Sequence, residues 1–321
     1  MSAGTATSLA GPGKAVAGGE GFFSLRHDRG RWRLSAPDDT RFFALGLHPD
    51  SSHGGFSELE IAGGQRHHGR DAQQWIRPDR RSSLEQGGFN SWSSAGAGGD
   101  PYCHLVPFSG AERWDQREHQ VNYLHRDWEH CLPCADDRNL IGYFYSASPR
   151  WLHAQPQAEW RGPVYDPAML MSEAGRRELR KFARRYYQTT RDAIRRYDQN
   201  HLLLGDRYDG SVLLPREVHE EAHPRVDVFS LQDFRDPVAN VHTWHRLTGK
   251  PILLADTAPI GSFSNGDLAW YGSLIRELLA NSGCVGCHLV AARDELNEDE
   301  GRFLAWQRVN EAAERWLARL A

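Results

Sequence analysis

The stretch Asn139–Trp151, NLIGYFYSASPRW, decides how this chain is read. Leu140, Ile141, Gly142, Tyr143 and Phe144 make a short apolar run. It stops at Ser146, Ala147 and Ser148 and then at Pro149. An apolar run of that length, bounded by small residues and a proline, predicts a buried strand that ends in a loop.

The same punctuation recurs on both sides. Downstream, Met169–Tyr197 is the longest helical pattern, strongly charged on one face, and it stops at Asp198-Gln199-Asn200 before the apolar run His201–Gly205. Further apolar runs follow at Val226–Phe234, Lys250–Thr257 and Val285–Asp294. Asp299–Leu320 then closes the chain as an amphipathic helix with Phe303, Trp306, Val309 and Trp316 on one stripe. Upstream, Phe42–His48, Phe89–Trp92 and Tyr102–Pro107 are strand-like. Asp71–Gln86 and Glu118–Cys131 are helical, and Phe22–Leu34 alternates around Asp28-Arg29-Gly30 as a hairpin. Pro49–Arg70, rich in Gly, Ser and His, is a long loop. Eight strand patterns alternating with helical ones predict the α/β class: a single (β/α)8 barrel with an N-terminal β-hairpin extension. Residues 1–20 are expected to be a flexible tail and 21–321 the barrel domain.

Composition narrows the functions. A chain of 321 residues with 40% hydrophobic content and 11 Trp fits one barrel of roughly 250 residues plus extensions. The net charge of −4 gives no electrostatic case for nucleic acid or an anionic membrane. Lysine occurs only at 14, 181 and 250, so the basic residues are almost all Arg. The N-terminus has neither the charged start nor the apolar centre of a signal peptide, so a cytoplasmic location is expected. Oligomeric state is not legible.

Cys131-Leu-Pro-Cys134 and Cys284-Val-Gly-Cys287 are both C-x-x-C pairs, and Cys284–His288 also fits the haem-attachment spacing. The apolar flanks of GCVGCHLVAA instead mark a strand in which a thiol serves as a small hydrophobe. In a barrel the two pairs fall on opposite sides. Neither zinc nor haem is therefore assigned to them.

In this register Asn139–Trp151 resembles the fourth barrel strand of the agarase-type glycoside hydrolases, a family in the large clan of retaining β-glycosidases built on a (β/α)8 barrel. That strand reads "liGYF-x-D-N-E-x-x-W", and its Glu is the acid/base. Tyr197-Asp198 through Arg207, "Y-D-x-N-H-L-x-L-G-x-R", is the most specific match, covering the end of the fourth helix and the fifth strand. Gly88-Phe89-Asn90, Pro101-Tyr102, Lys250-Pro251 and Val285-Gly286 resemble the family's second, third, seventh and eighth strands, and the likeness extends from about Phe22 to Leu317.

The resemblance places the nucleophile at Asp256 and the acid/base at Ser148. A retaining glycosidase uses two carboxyls about 5 Å apart. Asp256 is one methylene shorter than the family's Glu, which withdraws its oxygen by about 1.5 Å. The Ser148 hydroxyl cannot hold or release a proton near neutral pH. Ala147 stands where the family has Asn, Leu289 where it has the platform Trp, and Gln232-Asp233-Phe234 where it has Asn-x-Tyr. Gly142, Arg207, Gly286, His288 and Asp294 are kept. A kept scaffold with altered strand ends implies that ordinary two-carboxylate hydrolysis was given up.

The strand ends and the resemblance together make Asp256, His48, His104 and Ser148 the candidate catalytic positions. Asn90, Trp92, Arg150, Trp151, Arg207, Gln232, Asp233 and His288 are the candidate ligand contacts. Arg150-Trp151 has the chemistry to hold a ring or an anion if exposed, and otherwise packs a loop. His48, His104, His288, Asp233 and Asp256 have the donor chemistry of a Zn, Fe or Mn site, and equally that of a metal-free acid/base pair. Against both, Arg207 and His288 suit structural hydrogen bonding and His104 a satisfied core position. No cofactor is assigned, and a metal at this cluster is the alternative.

The expected ligand is a small carbohydrate or sugar-like molecule. Three functions fit: a carbohydrate-active enzyme with an atypical or diverted mechanism, a silent sugar-binding barrel, or a biosynthetic lyase, isomerase or cyclase. If Ser148 occupies the acid/base position, glycosides that need leaving-group protonation should turn over roughly 10²–10⁴-fold more slowly than aryl glycosides. Ser148→Glu should narrow that gap. Brisk cleavage of natural oligosaccharides that Asp256→Ala leaves unchanged would contradict this assignment.

Overall fold

The eight strand patterns close into one parallel barrel. The structure, a computed structural model, describes residues 15–49, 87–93, 99–106, 135–147, 151, 170–257, 267–291 and 300–319. β1 (Ala15–Ala17), β2 (Ser24–Asp28), β3 (Arg31–Ser35) and β4 (Arg41–Phe42) form an antiparallel sheet in that order. The barrel strands are β5 (Ala44–Pro49), β6 (Ser91–Trp92), β7 (Tyr102–Leu105), β8 (Leu140–Ala147), β9 (Leu202–Asp209), β10 (Phe229–Gln232), β11 (Ile252–Thr257) and β12 (Cys284–Ala291). β12 pairs back onto β5, closing the ring.

The expected hairpin is thus the middle of a larger sheet. Ala15–Ala17, within the stretch read as a flexible tail, pair with β2 because their backbone groups find partners there. The long loop Pro49–Arg70 lies outside the described residues beyond Pro49. The expected helices Asp71–Gln86 and Glu118–Cys131 and the pair Cys131/Cys134 also lie outside them.

The described helices are α1 (Glu173–Tyr197), α2 (Arg216–Ala222), α3 (Pro237–Thr248), α4 (Asp267–Ala280) and α5 (Glu300–Arg319). Ser172 caps α1 by accepting from Gly175 N at 3.0 Å, and Arg195 and Arg196 sit in its last turn, where the helix dipole favours cations. α3 starts with Pro237 after the Asp236 cap and stops at Gly249, whose φ of +66° needs a glycine. No helix among the described residues is long and apolar enough to cross a membrane.

Apolar packing falls into two layers. An outer cluster joins Leu179, Phe182 and Tyr186 of α1 to Tyr143, Phe229 and other helix-facing strand residues. An inner cluster, with Ile141, Phe144, Leu202, Leu204, Leu253 and Val285, fills the barrel and continues into Phe23, Leu25 and Leu34 of the antiparallel sheet. That sheet closes the N-terminal end of the barrel. Arg31 fixes it there by donating to Leu279 O (2.9 Å), Ala280 O (2.9 Å) and Asn281 O (3.1 Å) at the end of α4. Those carbonyls lack helical partners and carry the negative end of the dipole.

Strand alternation alone does not determine which side chains enter the barrel. Leu202 and Leu204 belong to the inner cluster and Leu203 to the outer one, so unbroken alternation would send Asp206 and Tyr208 inward. Instead the register against β8 slips at Gly205, which has φ +67°. Tyr208 then packs in the outer cluster, and Arg207 turns in over the ring of Phe144. β11 carries a similar extra residue. Leu254 pairs with Leu231 and Asp256 with Gln232, which brings Asp256 level with Gln232. Such bulges re-aim side chains at barrel rims.

Gly205→Ala tests the bulge. A Cβ there would stand 3.1 Å from Val226 Cγ1 and 3.3 Å from Val228 O, in a backbone conformation that L residues disfavour by about 1–2 kcal/mol. Urea unfolding should show a free energy lower by that amount, seen as a lower midpoint with an unchanged slope. An unchanged midpoint would mean that the bulge is not under this constraint.

Candidate active site

The polar groups inside the barrel gather at the C-terminal ends of the strands, the end where (β/α)8 barrels place their chemistry. Asp256 is 1% exposed and Arg207 5% exposed. Arg207 Nη1 donates to Asp256 Oδ2 at 3.1 Å, and Gln232 Nε2 donates to the same oxygen in a short hydrogen bond. The Arg207 guanidinium lies 5.5 Å from the centroid of the Phe144 ring, which supports the cation from below. The carboxylate is thus held by a bulged strand on each side of β10.

His288 occupies the neighbouring wall. β12 pairs with β11 through Cys287↔Leu254 and Leu289↔Thr257, which sets His288 alongside Ala255–Asp256. Its fully buried ring lies over Gly46, where a Cβ would come within 2.2 Å of His288 Cδ2, so only glycine leaves room. Ser91 Oγ is 3.5 Å from His288 Nε2. Cys103 completes the wall close enough to feel the charges of Arg207 and Asp256. Burial drives its thiol far above the usual range and keeps it neutral. Ser91, Phe144 and Cys103 are the lumen residues that sequence reasoning missed.

Asp256, Arg207, Gln232 and His288 therefore come together, and five other described candidates do not join them. His104 projects to the helix-facing side of β7, where it meets Tyr143 edge-on at 6.0 Å, because its strand neighbour Cys103 takes the inward position. Asn90 is a backbone clamp: Oδ1 accepts from Leu45 N (2.9 Å), and Nδ2 donates to Phe43 O (3.0 Å). Trp92 is buried in the outer cluster. Asp233 organises the start of α3, accepting from Arg235 N, Asp236 N and Asn240 Nδ2 at 2.9, 3.1 and 2.6 Å. The five-residue histidine–aspartate cluster is thus not assembled as a unit. Among the described residues no three His, Cys, Asp or Glu stand close enough to hold a metal. His48, next to last in β5, pairs with Val290, and its side chain lies outside the described residues, as do Ser148 and Arg150.

Trp151 is no exposed platform. It is 2% exposed and stacks on Tyr187 with ring centroids 5.7 Å apart, with Tyr186 and Phe182 edge-on. Those tyrosines hold a second buried carboxylate, Asp206, turned outward by the bulge. Tyr186 OH (2.6 Å) and Ser146 Oγ (2.8 Å) donate to Oδ1, Tyr187 OH (2.9 Å) donates to Oδ2, and Tyr208 OH meets Tyr187 OH at 2.7 Å. Asp206 thereby ties Ser146, near the end of β8, to α1.

No protein-family model matches the chain, and no curated protein does. Solved structures do resemble it. An agarase, AgWH50C, superposes with a TM-score of 0.66 at 14% identity over 95% of this chain and 64% of its own. An exo-beta-agarase gives 0.66 at 14% identity over 96% and 66%. An endo-1,4-beta-mannanase from Eisenia fetida gives 0.52 at 10% identity over 88% and 95%. The chain thus spans about two thirds of the length of those agarases, and at these identities the likeness is one of fold.

Burial raises Asp206 to about 6, against the tyrosine and serine hydrogen bonds that act to lower it. Because the folded value lies above the ordinary 3.8, the folded state binds the extra proton between about pH 4 and pH 6. Stability should therefore fall as pH rises through that window, by about 3 kcal/mol for this group. Asp206→Asn should flatten the curve there in urea titrations at stepped pH. Parallel curves for wild type and variant would refute it.

Proposed function

We propose that the chain is a carbohydrate-active enzyme whose working carboxylate is Asp256. One observation carries this: an ion-paired carboxylate, buried beside Gln232 and level with His288, at the end of the barrel where substrate would enter. Arg207 and Gln232 both donate to Oδ2, so the carboxylate is fixed before any ligand arrives. Pre-positioning of this kind lowers the cost of reaching the reacting geometry.

In the proposed reaction an Asp256 oxygen forms a bond to the anomeric carbon while the bond from that carbon to the leaving oxygen breaks. The electron pair departs with the leaving group. A phenolate leaves without a proton, so the absence of a carboxyl at Ser148 does not block this step. Water then attacks the same carbon and regenerates the carboxylate. His288, on the neighbouring strand, takes up the proton of that water in this reading. The agarase and mannanase neighbours support a sugar as the ligand, through the shape of the barrel alone.

Asp256→Asn keeps the size and removes the charge. Aryl β-glycoside turnover should fall by on the order of 10³ or more, with sugar affinity changed only a few-fold. The variant removes the negative charge facing the buried Arg207 cation and should lose about 3–5 kcal/mol of stability, so circular dichroism must accompany the assay. A folded Asp256→Asn protein with full turnover would refute the assignment. A wild type that binds sugars yet turns over no activated glycoside would identify a binding barrel.

A further inference from the structure

The opposite end of the barrel holds a second concentration of charge, independent of the reading of Asp256. Between β3, β4, the end of α4 and the last turns of α5 lies a shallow surface cleft. Its charged lining residues are Arg31, Arg33 and Arg41, and Trp32, Phe42 and Trp316 form apolar walls. No carboxylate is among its described lining residues.

The three guanidinium groups are not equally committed. Arg31 is bound to the α4 carbonyls, and Arg33 Nη2 meets Asp28 Oδ2 at 3.2 Å. Arg41 Nε is buried with no hydrogen-bond partner among the described residues. Burial first, and then the charges of Arg33 and Arg31, weaken the hold of Arg41 on its proton, while Asp28 acts in the opposite sense. Like charges crowded around an unsatisfied buried donor are costly unless an anion joins them.

Charge balance indicates which anion. Three guanidinium groups and the Asp28 carboxylate leave a net charge of +2. A phosphate monoester carries about −1.5 to −2 near neutral pH and offers several acceptor oxygens, matching that charge and the fork geometry of arginine. A carboxylate or a chloride carries a single negative charge and leaves positive charge over. We propose that this cleft binds a phosphate group, either free or carried on a sugar whose ring lies against Trp32 and Trp316.

The test uses the full-length protein at constant ionic strength. Thermal unfolding and tryptophan fluorescence are followed against inorganic phosphate, glucose 6-phosphate, glucose and chloride. Saturable stabilisation by phosphate or the sugar phosphate is expected, with no response to glucose or chloride. Equal affinities identify free phosphate as the ligand, and at least tenfold tighter binding of glucose 6-phosphate identifies the sugar-borne group. Arg41→Gln should weaken binding at least tenfold. Arg33→Gln gives the same test on a side chain held by one ion pair, should the first variant fail to fold. Absence of saturable binding, an equal response to chloride, or full affinity in folded variants would overturn the site.

Discussion

The ion pair between Arg207 and Asp256 is the constraint on which the upper half of the barrel depends. Removing two charges from water costs several kcal/mol per ion, and their mutual attraction need not recover all of it. Well-packed apolar residues of similar volume would stabilise such a lumen as well or better. Below this level the same barrel has that solution, in Ile141, Leu202, Val228, Leu253 and Val285. The change from an apolar to a charged lumen within one turn of strand is therefore a feature of the site and not of the fold's stability.

The pair shapes the strands that carry it. Arg207 reaches the interior only because Gly205 breaks the alternation of β9, and Asp256 only because β11 carries an extra residue opposite Leu231–Gln232. The bulge that turns Arg207 inward turns Asp206 outward, where three hydroxyls satisfy it and α1 is drawn onto the strands. At the other end the antiparallel sheet closes the barrel, and Arg31 caps α4. One end is thus sealed by the sheet, and the other is open to the polar side chains of the strand termini.

The order and number of the strands were legible because each is a short apolar run bounded by Gly, Pro, Asp or Asn. The approximate strand ends follow from that order, and the resemblance together with them points to Asp256, Arg207, Gln232 and His288. What could not be read was facing. A rule of period two fails wherever a bulge intervenes, so Arg207 and Asp256 were assigned to the lumen by resemblance and not by alternation. His104, Asn90, Asp233 and Trp151 were drawn in as polar or aromatic residues near strand ends. Each is engaged elsewhere: with Tyr143, with the backbone of β5, with the start of α3 and with the tyrosines of α1. The Asp206 cage had a faint signal in the adjacent pair Tyr186-Tyr187 and in Asp206-Arg207-Tyr208, but nothing in the sequence joins two tyrosines on a helix to a carboxylate some twenty residues on.

The most direct test of the central claim is covalent trapping. The protein is incubated with a panel of 2,4-dinitrophenyl 2-deoxy-2-fluoro-β-glycosides, whose leaving group needs no proton, and intact mass is followed by peptide mapping. A reactive carboxylate at the Arg207 pair predicts a single glycosyl adduct, carried by the peptide containing Asp256 and absent from Asp256→Asn. An adduct on a different residue, or none from sugars that the protein hydrolyses as aryl glycosides, would contradict it.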